Sequence, residues 1–272
     1  MRVPFIKMHG LGNDFIVLDA RVPGVPAITA RLAAALADRK TGIGCDQLIL
    51  LEPSDLADLR MRIFNADGGE VEACGNATRA VGLLHGGATR IETLGGVLLS
   101  APADGGVAVD MGEPRFGWDE VPLAYAMDTL TMPVGWEALD APAAVNVGNP
   151  HVVFFVADNA AIELERLGPL IEHDPLFPAR VNVNVATVVD RQTIRLRVWE
   201  RGVGETRACG TGACATAVAA MRRGLVERQV TVILEGGSLA IGWGADNRVT
   251  MTGPAVESFR GWFDPAEYGA SV

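Results

Sequence analysis

Polar and apolar residues alternate along residues 60–64, and again over 181–189 and 194–199, the period-two pattern of strands that bury one face. Two Ala-rich runs, 76–85 and 211–223, read instead as helices, closed by Gly86-Gly87 in the first and Gly224 in the second. Asn76 and Thr211 are residue types that cap helix N-termini. A further helix is expected from a Thr29 cap through Arg39, ended by Gly42-Ile43-Gly44, and Asp104-Gly105-Gly106 between two short β-like runs reads as a hairpin turn. The segment 114–142 holds four prolines and little periodicity, which marks it as a domain junction. Strands and helices alternate without the regular spacing of a doubly wound sheet, and Gly10-Leu11-Gly12 lacks the third glycine of a dinucleotide-binding turn.

The chain also repeats itself. Residues 59–76 align without a gap with 194–211, an offset of 135, and 7 of the 18 positions are identical, Cys74-Gly75 and Cys209-Gly210 among them. Gly12-Asn13 and Gly148-Asn149 match at an offset of 136. A period of about half the chain points to a duplicated domain rather than a solenoid. The expected fold class is therefore α+β: two pseudo-symmetric mixed α/β domains in tandem, divided as 1–115, joined by a C-terminal strand over 260–272, and 116–259.

The duplication gives two of the cysteines a chemical meaning. In both copies a Gly-Glu pair leads into Ala-Cys-Gly at a helix start, where unpaired N–H groups and the positive end of the helix dipole favour a thiolate. Related by a pseudo-two-fold axis, Cys74 and Cys209 would face each other across a domain cleft. Such a pair suits inversion at a carbon, one thiolate taking a proton from one face while the opposite thiol returns one to the other. Buried core thiols, a dithiol redox switch and a non-catalytic anion-binding module are alternative readings of the same residues. Cys45 and Cys214 lack the matched setting and read as structural.

Composition narrows the rest. With 272 residues, 49% of them apolar, the chain can bury a full core and is neither disordered nor collagen-like. It has 23 Lys and Arg against 33 Asp and Glu, a formal charge of −10, which disfavours nucleic acid as a partner. No stretch approaches the ~18 uninterrupted apolar residues of a membrane helix, so a soluble, cytoplasmic protein is expected. The four cysteines include no C-x-x-C pair and the histidines (His9, His85, His151, His173) are scattered, so neither a disulfide framework nor a zinc or other metal site is expected. The only lysines are Lys7 and Lys40. Lys7 falls within an N-terminal motif and Lys40 at a charged helix end, which disfavours a Schiff-base mechanism with pyridoxal phosphate.

Five segments together resemble a known family: Lys7-Met-His-Gly-Leu-Gly-Asn-Asp-Phe15, Gly42-Ile-Gly-Cys-Asp-Gln47, residues 65–76 around Cys74, Gly148-Asn-Pro-His151, and residues 200–214 around Cys209. In this order they are similar to the diaminopimelate epimerase family, and the likeness runs on through residues 234–239 and 251–254. The resemblance implies a cofactor-free enzyme that interconverts LL- and meso-diaminopimelate in the synthesis of lysine and peptidoglycan precursors. It implies tandem domains, each a curled sheet around a central helix, and a homodimer. By motif, Cys74 and Cys209 would be proton donor and acceptor. Asn13, Gln47, Asn65, Asn149, Asn182, Glu200 and Arg201 would contact substrate, together with Gly75, Asn76, Gly210 and Thr211, while His151 and Glu200 would tune the thiols. A racemase of the same fold, proline racemase-like, is the nearest alternative. Two positions depart from the family pattern: Ala77 stands where glycine is frequent, and Asn184 where an acidic or small residue is more usual.

Overall fold

The runs Phe15-Ile16-Val17-Leu18 and Leu48-Ile49-Leu50-Leu51 are buried at every position, as in parallel strands covered on both faces. The computed structural model, which describes residues 2–72 and 74–269, shows what covers them. Strands Asn13–Asp19 and Gln47–Glu52 lie parallel, with Phe15 beside Gln47. Ile16, Leu18, Leu48 and Leu50 face helix α1 (Ala30–Ala37) through Leu32, Ala33 and Leu36. The alternate residues Phe15, Val17, Ile49 and Leu51 face helix α2 (Gly75–His85) through Ala77, Ala80 and Val81. Each large side chain buried this way contributes about 1.5–3 kcal/mol. The sheet's own residues thus hold α2, whose small side chains let the strands close over it.

Two compact units result, Met1–Val109 with Gly253–Val272, and Asp110–Thr252. The first contains a ladder Val3–Gly10, Asn13–Asp19, Gln47–Glu52, Leu59–Asn65, Thr89–Thr93, Gly96–Ala103, paired in turn antiparallel, parallel, antiparallel, parallel, antiparallel. The second repeats that order of directions over Ala143–Asn146, Pro150–Phe155, Asn182–Asp190, Thr193–Glu200, Gln229–Leu234, Gly237–Trp243. Its outer helix is α3 (Leu164–Glu172), packed on Val152, Phe154, Val183 and Val185. Its inner helix is α4 (Gly210–Arg222), buried almost throughout. An ion pair is duplicated too: Arg62 with Glu70 at 2.8 Å, and Arg197 with Glu205 at 2.7 Å, 135 residues apart.

The structure corrects several details. Thr29 does cap α1, accepting from Leu32 N at 3.2 Å, but the helix stops at Ala37 rather than Arg39. There the N–H groups of Ile43 and Gly44 take the Leu36 carbonyl, and that of Cys45 takes Ala37's. A turn at 104–105 joins Gly96–Ala103 to Gly106–Asp110. The Pro-rich segment is packed: Val121, Leu123, Met132 and Leu139 are buried in the core of the second unit. The C-terminal strand starts earlier than residue 260, running Val256–Phe263 along Val3–Gly10; residues 270–272 of the expected strand lie outside the described residues. Among the described residues no helix is long and apolar enough to cross a membrane.

Candidate active site

Each inner helix begins at one of the matched cysteines. Cys74 caps α2 with φ −146°, ψ 111°, and Cys209 caps α4 with φ −123°, ψ 111°. The expected caps, Asn76 and Thr211, lie one residue inside their helices. Both cysteines have the extended backbone that a helix cap needs, and at Cys209 the sulfur also serves as the acceptor that a Ser oxygen commonly provides. Cys209 Sγ accepts from Gly212 N at 3.4 Å. Cys74 makes no such bond; its thiol instead meets Asn13 Oδ1 at 3.7 Å.

The strand register brings the first unit's candidates to neighbouring strand ends. Asn13 opens one strand, Gln47 opens the next, and Asn65, the register partner of Gln47, closes the third. Gln47 Nε2 donates to Asn65 Oδ1 at 2.9 Å. Asn13 Oδ1 also accepts from Asn76 Nδ2 at 3.2 Å, and Arg79 donates to Asn76 Oδ1 at 2.8 Å. A charged network that the sequence reading did not single out sits behind Asn13. Asp46 accepts from Asn13 Nδ2 (3.2 Å) and from Arg39 (2.7 Å), while Asp14 accepts from Lys7 and Arg39, both at 2.6 Å. Lys7 also donates to the Gly44 carbonyl. Burial works against the charge of Asp14, but its bonds to Arg39 and Lys7 and the Lys7 charge prevail and hold its carboxyl well below the ordinary range. The signal was available, since Lys7, Asp14 and Asp46 all fall inside motifs quoted above. Cys45, next to this network, is a thiol pushed up to about 12 by burial, partly offset by Lys7, which fits a structural role.

The second unit carries the corresponding positions. The offset of 135 takes Gln47 to Asn182, Asn65 to Glu200 and Cys74 to Cys209. Here Asn182 Oδ1 accepts from Arg201 N at 2.9 Å and its Nδ2 donates to the Pro150 carbonyl at 2.8 Å. The Arg201 guanidinium donates to the Ala179 carbonyl at 2.9 Å, and Glu200 accepts from Thr206 Oγ1 at 2.5 Å. Cys209 is only 4% exposed. Burial raises its thiol well above the usual value and the Glu200 charge beside it raises it further, against the pull of the Thr211 hydroxyl (3.5 Å) and Gly212 N. The helix start alone predicts a thiolate; desolvation and a neighbouring carboxylate reverse that outcome at Cys209. His151 is fully buried, its two ring nitrogens paired with Asn149 Oδ1 at 2.9 Å and Asn184 Nδ2 at 3.0 Å. Burial lowers it to about 3, the Asn184 bond opposing and the Arg201 charge assisting.

The family model for diaminopimelate epimerase matches residues 5–117 and 143–257, leaving out most of the Pro-rich segment. A diaminopimelate epimerase of Erythrobacter litoralis is 69% identical over 98% of this chain and 100% of its own length. One of Rhizorhabdus wittichii is 66% identical, covering 99% and 98%. The chain belongs to the diaminopimelate epimerase family. Among solved structures, a phenazine biosynthesis protein of the PhzF family from Enterococcus faecalis superposes with a TM-score of 0.71 at 14% identity, covering 97% of this chain and 100% of that one. A hydroxyproline epimerase from Agrobacterium vitis does so at 0.66 and 16%, covering 100% and 96%. At such identities these two likenesses establish the fold alone, the duplicated α+β architecture that the epimerase family shares with them.

Proposed function

We infer that this chain is a diaminopimelate epimerase that works with two cysteines and no cofactor. The observation that carries the reading is the pair of helix-capping cysteines at equivalent positions of a duplicated fold, in a chain of this family. Inverting a Cα centre requires a base at one face and an acid at the other. Cys209, held protonated by burial and by Glu200, enters as the acid in one direction, and Cys74 is the base; the roles exchange in the other. Removing the Cα proton builds enolate-like charge on the α-carboxylate. N–H groups of the first helical turns, at Gly75, Asn76, Gly210 and Thr211, lie at the positive ends of their helices and stabilise that charge. Asn13, Gln47, Asn65, Asn149, Asn182 and Arg201 are the contacts that read the remainder of the amino acid, with Glu200 accepting from an ammonium. The reading carries with it a small-molecule substrate, a homodimer and a cytoplasmic location.

Incubation with LL-diaminopimelate in deuterated water, without metal or pyridoxal phosphate, tests it. The expected result is meso-diaminopimelate carrying deuterium at the inverted Cα. Turnover of proline but not of diaminopimelate would reject it, as would the absence of deuterium in both pools.

A further inference from the structure

We propose that Asn184 is a positioning residue: through His151 it turns the side chain of Asn149 so that its NH2 group, not its carbonyl, faces the substrate and reads a carboxylate. The proposal rests on the epimerase reading for the identity of that substrate. Its own support comes from four polar groups of the second unit.

Asn184 Nδ2 donates to the Val152 carbonyl at 3.1 Å. A carbonyl can only accept, so the amide cannot be turned over without setting oxygen against oxygen. The same Nδ2 lies 3.0 Å from His151 Nδ1, which must therefore be the bare, accepting nitrogen. A neutral imidazole then carries its proton on Nε2. Nε2–H donates to Asn149 Oδ1 at 2.9 Å, which leaves the Asn149 NH2 group at the other end of that amide, donating to no described residue. Burial keeps the ring neutral, so it cannot switch to the doubly donating form, and the nearby Arg201 charge works in the same direction.

Two further features show that Asn184 is held there for its amide. Its Oδ1 is buried without a partner, a stability penalty that an apolar residue of similar size would not carry. It is also wedged against the start of α4: a Cβ on Gly212 would stand 2.8 Å from that oxygen. Parallel pairing sets Asn184 beside Val153 and Asn182 beside His151, so one strand supplies both the amide that fixes the histidine and the amide that holds the Arg201 backbone. The product is a donor at Asn149, paired to a histidine on which the Arg201 charge also acts, and a donor with a cation in the same unit suits a carboxylate and disfavours an ammonium.

Nitrogen-15 labelling of histidine reads the tautomer of the wild-type protein directly. The expected spectrum at neutral pH shows His151 with a protonated Nε2 and a bare Nδ1; protonation on Nδ1 would overturn the proposal. Asn184→Leu removes the donor, and KM for LL-diaminopimelate should rise about tenfold or more while kcat stays within about threefold, the pattern of a lost binding contact. An unchanged KM, or a loss confined to kcat, would also overturn it, the latter by making His151 a proton carrier. If that variant fails to fold, Asn184→Ala, which also lacks a donor, is read in the same way. Wild-type protein without epimerase activity would defeat the underlying reading, and the tautomer measurement, which needs no substrate, would still decide the arrangement of Asn184 and His151.

Discussion

The two cysteine corners share a backbone and differ in chemistry. Around Cys74 the neighbours are amides, with Asn13 touching the thiol and a cluster of Lys7, Asp14, Arg39 and Asp46 behind it. Around Cys209 the neighbour is the carboxylate Glu200, at the position where the first unit has Asn65, and the thiol is almost wholly buried. Duplication thus copied the mount, a helix-capping cysteine inside a curled sheet. Later divergence of the strand-end residues separated the environments of the two thiols. Under the two-cysteine proposal that division is useful, because one thiol has to hold a proton while the other takes one.

The largest test of the comparison is to remove each thiol in turn. Cys74→Ala and Cys209→Ala should each lower epimerisation by about 10²–10⁴-fold while circular dichroism shows an intact fold. A variant that kept more than about a tenth of the wild-type rate would make the two corners unequal in importance and break the pairing. Next in size is Glu200→Gln. Without that charge the Cys209 thiol should ionise at lower pH, though burial keeps it above a free thiol, and the rate should fall about ten- to a hundredfold. Thiolate absorbance in a Cys74→Ala background measures the shift; an unmoved curve would remove Glu200 from the contrast.

A smaller effect is expected at Asp14, which has no counterpart in the second unit. Its carboxyl is held low in the folded chain, so its stabilisation is present above the unfolded value near ~3.9 and is lost as the pH falls toward the folded one. Asp14→Asn should therefore be less stable than wild type by about 1–3 kcal/mol at neutral pH, with the gap shrinking below about pH 4. Urea melts at several pH values would show it, and a gap independent of pH would mean the charge is not what matters. Smallest of all are Glu70→Gln and Glu205→Gln, which break the duplicated ion pair in one unit each. Half-exposed pairs of this kind are worth within about 1 kcal/mol, and the two losses should match. A clear inequality would show that the mounts, too, have diverged.

Much of this was legible in the chain. The repeat of residues 59–76 at 194–211 is local and ungapped, and local patterns specify strands, helix starts and the cysteines set between them. What could not be read depends on register between strands distant in sequence. Asn184 meets His151 only because Pro150–Phe155 and Asn182–Asp190 pair in parallel in one particular register. Gln47 meets Asn65 for the same kind of reason. The fate of the Pro-rich segment was hidden differently: its buried residues Val121, Leu123, Met132 and Leu139 sustain no helix or strand period across the segment, so burial there leaves little signature along the chain. The helix-start argument counts the dipole at Cys209 and not the desolvation that comes with an inner helix, which pushes that thiol the other way.

That inner placement has a consequence for motion. Both thiols belong to the first turn of a helix wrapped by its own sheet, and the turn is closed by Thr78 N to the Cys74 carbonyl at 2.9 Å and Ala213 N to the Cys209 carbonyl at 3.0 Å. Reactive groups are often carried on loops, which open locally at little energetic expense. Here each sulfur is tied to a helix buried in the core of its unit, the kind of element that opens at the greatest energetic expense. The amide protons of Thr78 and Ala213 should exchange with solvent only as slowly as the core itself unfolds, and so each thiol inherits the positional steadiness of a buried helix rather than that of a surface segment.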